Sequence, residues 1–254
     1  IPAVFILIFF IIYTSSGFVS AGRLFETVFG VPYEYAIFIG AGSVVFYTLI
    51  GGFLAVSRTD FIQGVMMFFA ILVVPITAGM EMGGFSTTIA AIGNVQHSML
   101  EPLTKPDGSL MGGIELISLL AWGIGYFGQP HILVRFMAVS SSKELKQATH
   151  IAMTWVVLSL AAAVAVGMVG RVFLTTPLVG TESETVFLVM TNSLFPPVVI
   201  GMILSAVLAA IMSTASSQLL VAASAFAQDF YQTLLRKDAG QKELVWVSRA
   251  SVLV

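Results

Sequence analysis

Ser118-Leu119-Leu120-Ala121-Trp122-Gly123-Ile124-Gly125-Tyr126-Phe127-Gly128-Gln129-Pro130-His131 is the stretch on which the reading of the fold turns. Apolar residues surround it from about 113 to 137, enough for one helical crossing of a bilayer core about 30 Å thick. Gly123, Gly125, Gly128 and Pro130 stand inside that single crossing. In a helix interior glycine costs about 1 kcal/mol and proline about 3 kcal/mol relative to alanine. Pro130 has no N–H for the carbonyl at 126, and its ring clashes with it. The stretch therefore predicts a membrane helix broken near its middle. Broken backbone at membrane depth survives only against protein or a watery cavity, and transporters use such breaks to aim free N–H and C=O groups at substrate. Trp122, Tyr126 and Pro130 recur every four residues and share one stripe, which suits a small substrate with an apolar ring. Close helix packing accounts for the same pattern, because Gly and Pro are common in membrane helices.

The rest of the chain supports the membrane reading. Of 254 residues, 57% are hydrophobic and 9% charged, where a soluble domain carries about 25% charge. The mean hydropathy is +0.99. That composition excludes a soluble globule and a disordered chain. The net charge of −2 supplies no basic excess to neutralise phosphates, so nucleic acid is excluded as a partner. There is no Cys, hence no disulfide and no thiol nucleophile. Further apolar runs lie at about 1–21, 33–55, 61–80, 150–173 and 196–228, and another begins near 244 and stops at Val254. They are continuous and twice the length of barrel strands, so an all-α integral membrane bundle is expected, with 1–254 as one transporter domain. The chain opens and closes inside apolar runs, so it is expected to be an internal fragment of a longer polytopic protein.

Loop charge sets the expected orientation. Arg58, Arg135, Lys143, Lys146, Arg236, Lys237 and Lys242 fall in loops near 56–60, 135–149 and 229–243. The alternate loops carry only Arg23, Lys105 and Arg171. The first set is expected in the cytoplasm. The long loop 81–112 contains the turn Lys105-Pro106-Asp107-Gly108, and Thr87–Met99 is expected to form a short surface helix. Thr181 and Glu184 make a capping-box pattern ahead of an apolar stretch too short to cross.

A second polar feature lies in the sixth run: Ala210-Ile211-Met212-Ser213-Thr214-Ala215-Ser216-Ser217-Gln218. On a helix the Ala210 carbonyl comes close to the hydroxyls of Ser213 and Thr214. Three neutral oxygens then converge, and hard cations prefer oxygen ligands. Such hydroxyls equally serve to bond back to the helix's own carbonyls or to let helices approach. Asp60, in Ser57-Arg58-Thr59-Asp60, is expected at the entrance of the third run, where it caps the helix, pairs with Arg58 or guides a cation. Tyr13, in Ile12-Tyr13-Thr14-Ser15-Ser16-Gly17, lies mid-membrane, and its polar neighbours suggest a face turned into the protein. Glu115 favours the N-terminal dipole end of the broken helix. His97, His131 and His150 have no metal-ligand spacing, and no Gly-x-Ser-x-Gly elbow occurs. The chain does not read as an enzyme.

Gly30, Tyr33 and Tyr47-Thr48-Leu49-Ile50-Gly51-Gly52-Phe53-Leu54-Ala55 resemble a signature of the sodium:solute symporter family. Gly125-Tyr126-Phe127-Gly128-Gln129-Pro130-His131, with Met212-Ser213-Thr214 and Gln218, resembles its proline-transporting branch. The resemblance covers essentially the whole chain. It implies a LeuT-like core of inverted repeats, here incomplete, and symport of Na⁺ with proline across the inner membrane. It further implies Ala210, Ser213 and Thr214 as sodium ligands, and Tyr13, Trp122, Tyr126 and Pro130 as lining the proline site. Asp60 would act in releasing the cation. N-terminal helices absent from this stretch would complete the sites. Three other readings fit the residues: a symporter of another small solute, a transporter-like membrane sensor fused to a signalling module, and a channel.

Overall fold

In the computed structural model, residues 2–105 and 107–253 are described. Among them every regular element is helical, and extended pairing is limited to the isolated bridge between Thr104 and Leu110. The helices are α1 (Pro2–Phe29), α2 (Tyr33–Glu81), α3 (Phe85–Val95), α4 (Gly113–Gly125), α5 (Pro130–Met137), α6 (Ser142–Phe173), α7 (Val186–Leu194), α8 (Pro197–Ser224) and α9 (Gln241–Val252). A π-helical segment, Ala225–Leu235, extends α8. Four of these helical stretches are long and apolar enough to cross a membrane: Ala3–Glu26, Tyr33–Glu81, Ser142–Phe173 and Pro197–Leu235.

The 49 residues of α2 would extend about 74 Å as one straight helix, more than twice a bilayer core. The segment is two helices joined at Gly52, whose φ of 56° and ψ of −161° are non-helical. A side chain is strained at that φ, so glycine marks the joint. A loop was expected at 56–60, between the apolar runs 33–55 and 61–80. The joint instead falls earlier, and Asp60 lies inside the second helix rather than capping it.

The chain divides into two compact units. The first comprises Ile1–Met67 and Ser205–Val254. Here α1 runs past the apolar stretch to Phe29, helped by the Arg23–Glu26 ion pair at 2.9 Å. It stops at Gly30, whose φ of 66° lets its N–H turn back to the Glu26 carbonyl at 3.0 Å. Small residues bring α1 against its neighbours. A Cβ on Gly40 would lie 3.0 Å from that of Ala21, and one on Gly17 would lie 3.6 Å from that of Ala215. The π-helical segment reaches Leu235, beyond the end at 228 that apolarity suggested. Its last turn is tied to α9 by Tyr231 Oη donating to Glu243 at 2.7 Å and by the Arg236–Glu243 pair at 2.8 Å.

The second unit is Phe68–Leu204. Ser141 caps α6 by accepting from the Glu144 N–H at 3.3 Å, so the helix starts several residues before its apolar part. Gly170 of α6 faces α7, where any Cβ would run into Val186 and Met190. Met190 and Thr191 are fully buried there. A 3₁₀ turn, Gly180–Thr185, precedes α7. The Thr181 side chain of the expected capping box lies outside the described residues, as does Pro106 of the expected turn. The expected surface helix is α3, followed by a 3₁₀ turn at His97–Leu100.

Candidate functional site

In the first unit, α8 is apolar on every side except for its hydroxyl run. Ser213 Oγ donates to the Ala210 carbonyl at 3.1 Å, and Thr214 Oγ1 donates to the same oxygen at 3.2 Å. One backbone and two side-chain oxygens are thus gathered within a single turn. Ser213 is half-buried and Thr214 is exposed, while Ala215, Ser216, Ser217 and Gln218 are all buried. The turn therefore presents Thr214 outward and folds the next four residues inward. Hydroxyl hydrogens rotate, so each oxygen can keep its carbonyl bond or swing its hydrogen away and offer lone pairs to a cation. The donors are neutral, and among the described residues no three His, Asp or Glu gather as a metal cluster. That donor set fits a singly charged hard ion rather than a divalent metal.

Two cross-helix bonds flank this turn. Tyr47 Oη donates to the Met212 carbonyl at 3.0 Å, and Ser217 Oγ donates to Asp60 Oδ2 at 3.2 Å. Tyr47 lies before the Gly52 joint and Asp60 after it, so both halves of α2 reach α8. The Asp60 carboxylate is thus engaged sideways with α8. Sequence reasoning assigned Tyr47, Ser216, Ser217 and Gln218 no role. Their signal was present: polar side chains in apolar helices, with Ser216, Ser217 and Gln218 two to five residues from the candidate ligands and Tyr47 beside Thr48 in a mostly apolar run.

Tyr13 of α1, in the same unit, is 51% exposed, whereas its neighbour Thr14 is buried. The polar stretch does turn one residue inward, but that residue is Thr14.

In the second unit, α4 ends at Gly125, a 3₁₀ turn spans Tyr126–Gly128, and α5 begins at Pro130. Gln129 between them is extended, with φ −73° and ψ 112°. Pro130 occupies the first turn of α5, where its missing N–H leaves no bond unmade. Trp122 and Tyr126 pack edge to face, centroids 5.0 Å apart at 71°. They are 64% and 48% exposed. The start of α4 is fixed by Glu115, which accepts from the Gly112 N–H at 3.4 Å and pairs with Lys105 at 2.7 Å. Glu115 beside Lys105 raises the lysine's pKa, and Ser109, donating through hydroxyl and N–H, lowers that of Asp107.

This unit also holds a cavity of about 510 Å³ among α2, α3 and α6, lined by groups such as Leu72, Ile76, Phe85, Ile92 and Val169. Its hydroxyl, on Thr88, is already bonded to the Gly84 carbonyl at 2.9 Å. Nothing there satisfies a carboxylate or an ammonium, so the cavity does not suit a zwitterion.

A family model described as the Sodium:solute symporter family matches residues 1–254. The chain is 47% identical, over 255 residues, to an osmoregulated proline transporter of Bacillus subtilis (strain 168), covering 100% of this chain and 51% of that protein. It is 46% identical over 259 residues to a sodium/proline symporter of Escherichia coli (strain K12), again with 100% and 51% covered. A sodium/proline symporter of Salmonella typhimurium shows the same 46% identity and the same coverage, 100% and 51%. The chain spans about half the length of these relatives.

Proposed function

The chain belongs to the sodium:solute symporter family, and from that premise we propose that it works within a sodium-coupled proline symporter. It is a multi-pass membrane protein and a transporter rather than an enzyme. Na⁺ is taken as the coupling ion, bound by the Ala210 carbonyl and the hydroxyls of Ser213 and Thr214. Three oxygens are too few for a dehydrated cation, so the exposed side of Thr214 is where further ligands join, from segments outside these residues. Trp122, Tyr126 and Pro130 line the proline path, with the edge-to-face ring pair offering an apolar surface to the pyrrolidine. Asp60 receives the departing cation. The membrane is the plasma membrane, and the loops near 135–149 and 229–243 face the cytoplasm on the excess of Lys and Arg.

Transport follows alternating access: ion and amino acid each bind better when the other is present, and both leave inward. The membrane potential supplies about 2.3 kcal/mol per charge per 100 mV. The observation that carries this reading is the convergence of two hydroxyls on one carbonyl in the middle of an apolar helix. The sodium and proline named in the relatives' descriptions support it. The test is uptake of labelled proline into vesicles holding the full-length transporter, under an inward Na⁺ gradient and with K⁺ in its place. Uptake is expected with Na⁺ only, and equal uptake in both would remove sodium coupling.

A further inference from the structure

We propose that Tyr47 is a positioning residue for the sodium ligands: its hydroxyl, held 3.0 Å from the Met212 carbonyl, sets the rotation of the α8 turn that carries Ser213 and Thr214. The inference rests on the sodium reading above. In lipid there is no hydrophobic drive between helices, so close packing of small residues and polar contacts between helices set how a helix is turned. Outside its hydroxyl run α8 is almost uniformly apolar, so apolarity gives it no preferred rotation.

The Tyr47 bond joins residues 165 positions apart and lands on the residue immediately before Ser213. A carbonyl has two lone pairs, so Met212 can accept from Tyr47 and still serve its own helix. On the far side of the ligand turn, Ser217 is bonded to Asp60. The turn Ser213–Ser216 is thus held at both ends from α2, once from each side of the Gly52 joint. Ala215 lies against Gly17 of α1 and is 1% exposed, which closes the inward side. Thr214 is left as the residue pointing out. A rotation of α8 that carried Thr214 inward would stretch the Tyr47 bond.

Tyr47→Phe removes the hydroxyl and keeps the ring. In vesicles with the full-length transporter, the Na⁺ concentration for half-maximal proline uptake should rise roughly three- to tenfold, the scale of one lost hydrogen bond. Proline KM at saturating Na⁺ and the maximal rate should stay within about twofold. Thr48→Val is the control: it deletes a hydroxyl buried on the same helix, 3% exposed and without a hydrogen bond to α8. It should leave the Na⁺ dependence unchanged. An unshifted Na⁺ dependence in Tyr47→Phe overturns the inference, as does a lower maximal rate alone or an equal shift in Thr48→Val. If Tyr47→Phe reaches the membrane too poorly for uptake, thermal stabilisation of the purified protein by Na⁺ decides. Coincident curves for the two proteins overturn the inference, and a curve displaced to higher Na⁺ supports it. Thr214→Ala, run alongside, separates the two ideas: a shift there with none in Tyr47→Phe defeats only the positioning role, whereas no shift in Thr214→Ala defeats the sodium site itself.

Discussion

Ser213 and Thr214 on α8 are bonded to one carbonyl, and the four residues after Thr214 are buried. Trp122 and Tyr126 on the interrupted α4 touch each other and stand largely exposed. The difference matches the ligands proposed for the two regions. An alkali ion must exchange its water for oxygens at fixed distances, so its ligands need a rigid turn and anchors on neighbouring helices. A pyrrolidine needs only apolar area, and a ring pair can offer that before anything else is in place. On this reading, ion affinity depends on bond geometry within the first unit, whereas proline affinity depends on ring area in the second.

Thr214→Ala should break the contrast most strongly. Losing a ligand oxygen to a charged group is expected to raise the Na⁺ needed for half-maximal uptake roughly ten- to hundredfold, measured as uptake against Na⁺ concentration. A shift in proline KM at saturating Na⁺ with no shift in Na⁺ dependence would reverse the roles assigned to the two regions. Trp122→Ala comes next. It removes the larger ring and its edge-to-face partner for Tyr126, so proline KM should rise about threefold to tenfold at saturating Na⁺. Trp122→Phe should restore most of the difference, because ring area rather than the indole N–H is what counts.

The smallest effect concerns how α4 begins. Asp107 has a lowered pKa, so the order it lends the loop is present above the ordinary carboxylate pKa and is lost as pH falls through the lowered value. Lys105 has a raised pKa, so its contribution is complete below the usual lysine value and is lost as pH rises through the raised one. Asp107 is exposed and Lys105 half-buried, both at the surface and screened by solvent, so the effect is confined to the loop. Hydrogen exchange at the Ser109 N–H, corrected for its intrinsic rate, should be steady across neutral pH and a few-fold faster on strong acidification. A profile flat into acid would show that Asp107 does not order this loop.

Much of the fold was readable because apolar runs and proline act locally. Pro130 cannot sit inside a helix without cost, so the start of α5 is written in its ring. Gly52 was harder. It is one of 23 glycines, and nothing local separates a glycine that must adopt positive φ from one that only allows close packing. The gap between the apolar runs at 55 and 61 drew the expected boundary to the wrong place, since a carboxylate inside a helix is tolerable when Ser217 of another helix reaches it. The oxygens of Ala210, Ser213 and Thr214 were readable from helical spacing, because residues three and four apart share a turn. The Tyr47–Met212 bond was not, because it joins positions that no periodicity relates. Tyr13 was expected to face inward on the strength of its polar neighbours, but a helix turns 100° per residue, and Thr14 takes the buried position.

The central claim is that one site's oxygens make ion and amino acid depend on each other. It is tested most directly by measuring equilibrium proline binding to the purified full-length transporter, first in Na⁺ and then in K⁺, and Na⁺ binding with and without proline. The account predicts that Na⁺ tightens proline and that proline tightens Na⁺ by the same factor, as linkage requires, and that Thr214→Ala weakens both effects. Proline binding of equal strength in Na⁺ and K⁺ would contradict it.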